Sequence, residues 1–172
     1  MPSQMKFANM LLLAAGSLAL SACASKAPKE LPPTPGPATS TDSGSQSLGV
    51  VPGSQADFVA TLMGDDTIYF DTDRFNIDSV DAAALTRQAQ WLQRYPAKRI
   101  TIEGHADERG TREYNLALGE RRANAAKNYL ITLGVNAARI TTVSYGKERP
   151  VALGSNESAW AQNRRAVTVT ID

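Results

Sequence analysis

The stretch ITIEGHADERGTREYNLALGERRANAAKNYLITLG, residues 100–134, predicts a strand, a short loop and a long helix in direct succession. Residues 100–105 place β-branched and small side chains in the alternation that is typical of a strand. Residues 114–133 form the strongest predicted helix of the chain, and Gly134 follows it in the position that a C-terminal cap prefers. A strand that leads through a loop into a helix indicates an α/β fold.

Shorter patterns on both sides repeat this unit. Residues 79–94 predict a helix with Ser79 as its cap, and the Tyr95-Pro96 pair ends it because a residue before proline is pushed out of helical geometry. The other predicted elements are strands over 67–70, 139–145 and 166–171 and short helices over 57–63 and 155–162. The expected fold class is α/β, a sandwich with a single four-stranded mixed sheet and helices packed on it.

The first residues predict export and a lipid anchor. Lys6 precedes an apolar stretch that ends at LSAC, residues 20–23, and is too short for a membrane span, so a signal peptide is expected over 1–22. Cys23 is the sole cysteine, and the alternative to its modification is a free buried thiol. The LSAC motif resembles the lipobox of bacterial lipoproteins, which implies a Cys23 that carries acyl chains such as palmitate. Ala24, in place of an aspartate, implies an outer-membrane location with the domain facing the periplasm.

The rest of the chain divides into a tether and one domain. Residues 23–56 begin with the lipidated cysteine and are rich in Pro, Ser and Gly, which predicts a flexible tether that reaches about 100 Å when extended. Residues 57–172 have the length of a single domain. The formal net charge of the chain is +1, which argues against nucleic acid as a partner because such proteins carry a clear basic excess.

Several short motifs lie along the predicted domain: YFD at 69–71, GHADERGT at 104–111, YN at 114–115, LGERRA at 118–123, VSYG at 143–146 and NRRAV at 163–167. Together they resemble the OmpA-like family of peptidoglycan-binding domains. The resemblance runs from about residue 66 to the end and keeps the order and spacing of these motifs. It implies the OmpA-like α/β sandwich and non-covalent binding of peptidoglycan.

The resemblance implies that Asp107 and Arg122 hold the charged groups of meso-diaminopimelate in the stem peptide. Asp107 follows the carboxyl end of a predicted strand, where ligands collect in α/β sheets. Arg122 lies two helical turns after Asn115, so both point the same way, and Gly119 between them is expected to leave room for a ligand. A guanidinium binds a carboxylate and an aspartate binds an ammonium. The alternative is that Asp107 and Arg122 are ordinary exposed charges.

Four further residues are assigned to the same site by the resemblance. Asn115 is expected to contact the ligand, and Phe70 and Asp71 are expected to do so through backbone groups. Phe70 has the alternative of a core aromatic. Arg164 is expected to support the pocket or order the Asp107 loop, with a solvated charge as the alternative.

Two kinds of chemistry compete with binding. Glu103, His105 and Asp107 alternate along a strand and could hold zinc, but His105 is the sole histidine, so no metal and no other cofactor are predicted. A wall hydrolase would need a nucleophile beside a positioned base, and the sequence contains no G-x-S-x-G motif. Paired carboxylates, as in glycosidases, remain possible because Asp and Glu are plentiful. The prediction is a binding module rather than an enzyme.

The resemblance also implies protein partners. Lipid-anchored members of the family work with the Tol proteins, among them periplasmic TolB, through a surface near the wall-binding site. The expected function is to link the outer membrane to peptidoglycan as part of the Tol system. That link is expected to support envelope integrity and constriction of the outer membrane during cell division.

Overall fold

The computed structural model describes residues 49–171. The predicted signal peptide, Cys23 and most of the predicted tether lie outside these residues. The described elements are α1 (Gln55–Leu62), β1 (Thr67–Tyr69), α2 (Ser79–Arg94), β2 (Arg99–His105), α3 (Arg112–Thr132), a 3₁₀ turn (Ala137–Arg139), β3 (Ile140–Gly146), α4 (Glu157–Asn163) and β4 (Arg165–Ile171). Within 49–171, no helix combines the length and the apolar character that crossing a membrane requires.

The four strands form one mixed sheet in the order β1-β4-β2-β3. The β1–β4 and β4–β2 pairs are antiparallel, whereas β2 and β3 are parallel and are joined by the crossover helix α3. The register of β2 against β3 shifts between Gly104 and His105, at the end of β2 that leads to Asp107. The predicted α/β sandwich with a four-stranded mixed sheet is therefore confirmed.

The predicted elements differ from the described ones mainly at their ends. The cap of α2 is Asp78, one residue before the predicted Ser79, and its carboxylate accepts from the amides of Val80 and Asp81. Helix α1 begins at Gln55, inside the segment predicted as tether. Helix α3 begins at Arg112, two residues before the predicted start.

The core lies between the sheet and helices α2 and α3. Trp91, Leu92, Ile100 and Ile102 are fully buried in one apolar cluster. Burial of an apolar side chain of this size contributes about 1.5–3 kcal/mol, so this cluster makes a large favourable contribution to folding. Phe58 of α1 packs edge-on against Trp91, with ring centroids 4.8 Å apart, and thereby adds α1 to the same core.

Two glycines bring α3 unusually close to the sheet. A Cβ atom on Gly104 of β2 would overlap the Gly119 carbonyl of α3, and a Cβ on Gly119 would overlap the Ser144 hydroxyl of β3. The prediction that Gly119 leaves room for a ligand is therefore wrong, because the space is filled by the strands. The consequence of this close approach is that side chains of α3 reach the ends of the strands.

Candidate ligand-binding site

Arg122 of α3 is fully buried and donates to three backbone carbonyls from two segments of the chain. Its Nε donates to the Arg74 carbonyl at 2.9 Å, its Nη1 to the His105 carbonyl at 2.8 Å and its Nη2 to the Asp71 carbonyl at 3.1 Å. One planar guanidinium thus connects the β1–α2 loop to the end of β2. The Phe70 ring lies 5.2 Å from the guanidinium carbon and covers one side of it.

The buried environment of Arg122 bears on the prediction that it holds a ligand carboxylate. Burial lowers its pKa to about 10, so the side chain stays protonated at neutral pH. Each guanidinium nitrogen already donates to a carbonyl, so three of the five N–H donors of Arg122 are used within the protein. The alternative of an ordinary exposed charge is wrong for Arg122, and this structure gives it the position of a buried support.

Asp107 is also buried, and two arginines surround its carboxylate. Arg109 donates to Oδ1 from Nε at 3.0 Å and to Oδ2 from Nη2 at 2.7 Å, while Nη1 of Arg164 lies 3.5 Å from Oδ2. Burial alone would raise the pKa of Asp107, but the hydrogen bonds from Arg109 outweigh it and hold the pKa below its ordinary value. Asp107 is therefore ionised although it is buried, and the alternative of an ordinary exposed charge is wrong for it.

The loop from Asp107 to Gly110 is fixed by side chains from three other elements. Asn115 of α3 donates to the Arg109 carbonyl at 2.7 Å. Lys147, after β3, donates to the carbonyls of Glu108 at 3.1 Å and Gly110 at 2.6 Å. Trp160 of α4 donates to the Glu108 carboxylate at 3.0 Å. The backbone of this loop is thereby held in one position.

Asp107 opens into a cavity of about 230 Å³. Its lining residues come from the β1–α2 loop, the loop after β2 and the first turns of α3: Thr72, Asp73, Asp107, Arg109, Gly110, Tyr114, Asn115 and Leu118. Asp73 has a left-handed backbone with φ of 55°, which is uncommon for a residue other than glycine, and its carboxylate accepts from the Tyr114 hydroxyl at 3.2 Å. The site residues predicted from sequence did not include Thr72, Asp73, Arg109 or Tyr114.

A second cavity, of about 360 Å³, contains the other predicted site residues. Phe70, Asp71 and Arg164 line it, together with Asp78 and Asp81 at the start of α2. Of the predicted residues, Asp107 and Asn115 therefore line one cavity and Phe70, Asp71 and Arg164 the other, while Arg122 lines neither of the two. We take the smaller cavity as the candidate site because it contains the ionised Asp107.

Arg164 connects the two cavities. It is buried, donates from Nε to the Phe70 carbonyl at 2.9 Å and from Nη2 to the Glu157 carboxylate at 2.7 Å, and faces Asp107 with its third nitrogen. The prediction that Arg164 supports the Asp107 loop agrees with this position, and the alternative of a solvated charge is wrong. Phe70 belongs to the apolar core, as its alternative predicted, and it also lines the larger cavity; its contact with a ligand stays a prediction.

His105 packs inside the end of β2, with its ring 5.5 Å from that of Tyr145. Both ring nitrogens lack a hydrogen-bond partner among the residues that the structure describes, and Glu103 Oε2 lies 3.7 Å from Nε2. Burial, assisted by the guanidinium groups of Arg165 and Arg149, lowers the pKa of His105 to about 4. His105 is therefore neutral at physiological pH.

The zinc hypothesis has no geometric support in residues 49–171, where no group of three or more His, Cys, Asp or Glu side chains is arranged to hold a metal ion. Glu103 faces His105, but the carboxylate of Asp107 is directed to arginines. The shift in strand register after Gly104 explains why the strict alternation expected for these three residues does not continue to Asp107.

The fold and the site together define an OmpA-like domain, an α/β sandwich whose strand ends carry a buried aspartate among arginines. Residues 69–164 match the OmpA family. A peptidoglycan-associated lipoprotein of Rhizobium meliloti is 54% identical over 89% of this chain and 82% of that protein. The chain belongs to the OmpA family and, within it, to the peptidoglycan-associated lipoproteins.

Solved structures agree with this assignment. The peptidoglycan-associated lipoprotein of Burkholderia pseudomallei is 50% identical and superposes with a TM-score of 0.60, covering 61% of this chain and 89% of that one. The C-terminal domain of Helicobacter pylori MotB shares the fold, with a TM-score of 0.58 over 62% of this chain and 84% of that one at 22% identity. The resemblance predicted from the short motifs is confirmed.

Replacement of Arg122 by lysine should destabilise the domain. A lysine keeps the charge, but its single nitrogen cannot reach three carbonyls in different directions, so some of these carbonyls lose the donor that Arg122 supplies. We expect the free energy of unfolding to fall by about 2–4 kcal/mol, as measured by urea denaturation. Arg121→Lys, at the exposed neighbouring position, is the control and should change it by less than about 0.5 kcal/mol. Equal stability of the two variants would contradict the role given to Arg122.

The low pKa of His105 predicts a specific acid sensitivity. The unfolded state binds a proton near the ordinary pKa of about 6.5, whereas the folded state does so only near 4, so stability falls as the pH drops through this window. The loss attributable to His105 should reach up to about 3 kcal/mol. Urea denaturation at pH 7 and pH 4.5 should show a smaller pH dependence for His105→Phe than for wild type. The same pH dependence in both proteins would refute the assignment.

Proposed function

We propose that this protein binds peptidoglycan non-covalently through the meso-diaminopimelate of the stem peptide. The observation that carries the proposal is the cavity at Asp107, where a buried and ionised carboxylate faces an open volume that suits an amino-acid side chain. Membership of the peptidoglycan-associated lipoproteins supports the same ligand. The proposed role is binding without catalysis.

In this proposal Asp107 receives the ammonium group of the ligand. A carboxylate that is already desolvated forms stronger hydrogen bonds to a cation than an exposed one does. Arg122 lies near enough to Asp107 for their charges to interact, so its charge favours a ligand carboxylate there, and its bonds hold the β1–α2 loop in place. Asn115 fixes the loop after β2, and the carbonyls of Phe70 and Asp71 accept from Arg164 and Arg122.

The anchor and tether complete the proposed role. A Cys23 that carries acyl chains would hold the protein in the outer membrane, since each buried methylene contributes about 0.8 kcal/mol. The segment that follows Cys23 would let the periplasmic domain reach the wall. We propose that the protein thereby joins the outer membrane to peptidoglycan, interacts with TolB and other Tol proteins, and supports envelope integrity and constriction during division.

Neutralising Asp107 should weaken wall binding without unfolding the domain. Asp107→Asn keeps the shape of the side chain but removes the charge that binds an ammonium. Sedimentation with purified sacculi of the diaminopimelate type should show about a ten- to hundredfold weaker affinity. Asp65→Asn is the matched control, because Asp65 pairs with Arg87 at the surface outside both cavities, and it should bind like wild type.

The same sacculi test the enzyme alternative. Incubation with wild type should release no soluble fragments, whereas a glycosidase or amidase would release them. Unchanged binding by Asp107→Asn would show that the ligand is held elsewhere.

The anchor is tested by Cys23→Ser in the full-length chain. Wild type should incorporate labelled palmitate and fractionate with the outer membrane. Cys23→Ser should lose the label because serine offers no thiol for the thioether bond. Equal labelling of the two proteins would refute lipidation at this position.

A further inference from the structure

We propose that Arg109 is a specificity-determining residue that makes the site select zwitterionic ligand groups over simple amines. This inference rests on the proposed function and assigns a role to a residue outside the predicted Asp107 and Arg122 pair. In this structure Arg109 pairs with the Asp107 carboxylate, the group that the ligand ammonium needs. A ligand with both an ammonium and a carboxylate exchanges partners with this internal pair.

Arg109 is placed where a ligand cation would lie. Its guanidinium makes two hydrogen bonds to the two oxygens of Asp107, at 2.7 and 3.0 Å, and a third, at 3.3 Å, to the Thr72 hydroxyl across the cavity. Its carbon lies 4.2 Å from the ring centre of Trp160. The ligand ammonium must therefore displace a guanidinium whose edge is hydrogen-bonded to Asp107 and whose face lies against the Trp160 ring.

Displacement of Arg109 requires movement of the side chain alone. The Arg109 carbonyl is held by Asn115, and Lys147 holds the carbonyls of the residues on both sides of it. The Arg109 amide also donates to Asp107 Oδ1 at 3.1 Å, a bond that does not depend on the position of the side chain. The Arg109 side chain is partly open to solvent, with an exposed fraction of 39%. Asp107 thus keeps its position while its cation is exchanged.

The three arginines near Asp107 differ in their freedom to meet a ligand carboxylate. Arg122 is fully buried and donates from each nitrogen to a carbonyl. Arg164 is held by the Phe70 carbonyl and the Glu157 carboxylate. Arg109 is the one of these three that is partly exposed and lines the cavity. Once released, Arg109 is the guanidinium best placed to take the ligand carboxylate.

The exchange explains a preference for ligands that carry both charges. When a simple amine binds Asp107, Arg109 loses its bonds to the Asp107 carboxylate and gains no other anion. When a zwitterionic group binds, its ammonium pairs with Asp107 and its carboxylate pairs with Arg109, so every charge keeps a counter-charge. Charged groups without partners in a partly desolvated site are unfavourable, and the amine should therefore bind more weakly.

Calorimetric titration with two muropeptides tests this exchange. One carries diaminopimelate, and the other carries lysine, which keeps the ammonium but lacks the side-chain carboxylate. Wild type should prefer the diaminopimelate form. Arg109→Gln should bind that form several-fold more weakly and the lysine form equally or more tightly, so the preference falls by about tenfold. Arg109→Lys, which keeps the positive charge but not the two parallel N–H donors of the guanidinium, should give an intermediate preference.

The control is Arg112→Gln, which removes an exposed arginine that pairs with Glu148 outside the candidate cavity and should leave the preference unchanged. Equal preference in wild type and Arg109→Gln would overturn the role of Arg109 while leaving wall binding intact. A uniform loss for both muropeptides in Arg109→Gln would also overturn it, because that is the effect of a damaged loop. Failure of wild type to bind either muropeptide would refute the proposed function and this inference with it.

Discussion

The buried guanidinium of Arg122 is the interaction on which the site depends. The end of β2 and the β1–α2 loop direct backbone carbonyls toward one buried side chain, and a carbonyl removed from water is costly unless a donor reaches it. Arg122 supplies donors to three of them, from Asp71, Arg74 and His105, with one rigid side chain. The loop that contains Asp73 in its left-handed conformation is thereby held against the end of β2. A cavity of fixed shape can exist between them because neither wall is free to move.

The buried position of Arg122 explains why a carboxylate is needed at Asp107. Arg122 and Arg164 bring two buried positive charges close to each other, and Asp107 lies near both. Without a carboxylate there, the site would contain like charges in a region of low dielectric constant. Asp107 therefore has a structural reason to stay ionised that is independent of any ligand. The same ionised group is what a cationic ligand requires, so one carboxylate both balances the buried arginines and is available to bind a cation.

The sequence predicted the fold well and the site in part, for a physical reason. The order of strands and helices was predictable because it rests on periodicity, and the helix ends differed where Asp78 rather than Ser79 satisfied the first amides. Asp107 was assigned from the resemblance to the family, and its position after a predicted strand agreed with that assignment. Arg109 was missed because the direction of a loop side chain depends on contacts with Thr72 and Trp160, which are distant in the chain. The sequence did contain one indication of its role: Arg109 follows Asp107 by two positions and precedes Gly110.

The role of Arg122 shows why the fold and the site cannot be separated. Its reach to the His105 carbonyl requires the axis of α3 to lie close to β2. That distance is set by Gly104 and Gly119, which meet without side chains between them. A larger residue at either position would push α3 outward and draw the guanidinium away from the carbonyls. The close helix–strand contact is therefore the condition for the buried guanidinium, and the buried guanidinium is the condition for the loop that forms the cavity wall. Packing at two glycines thus controls the geometry of a polar site on the next turn of the same helix.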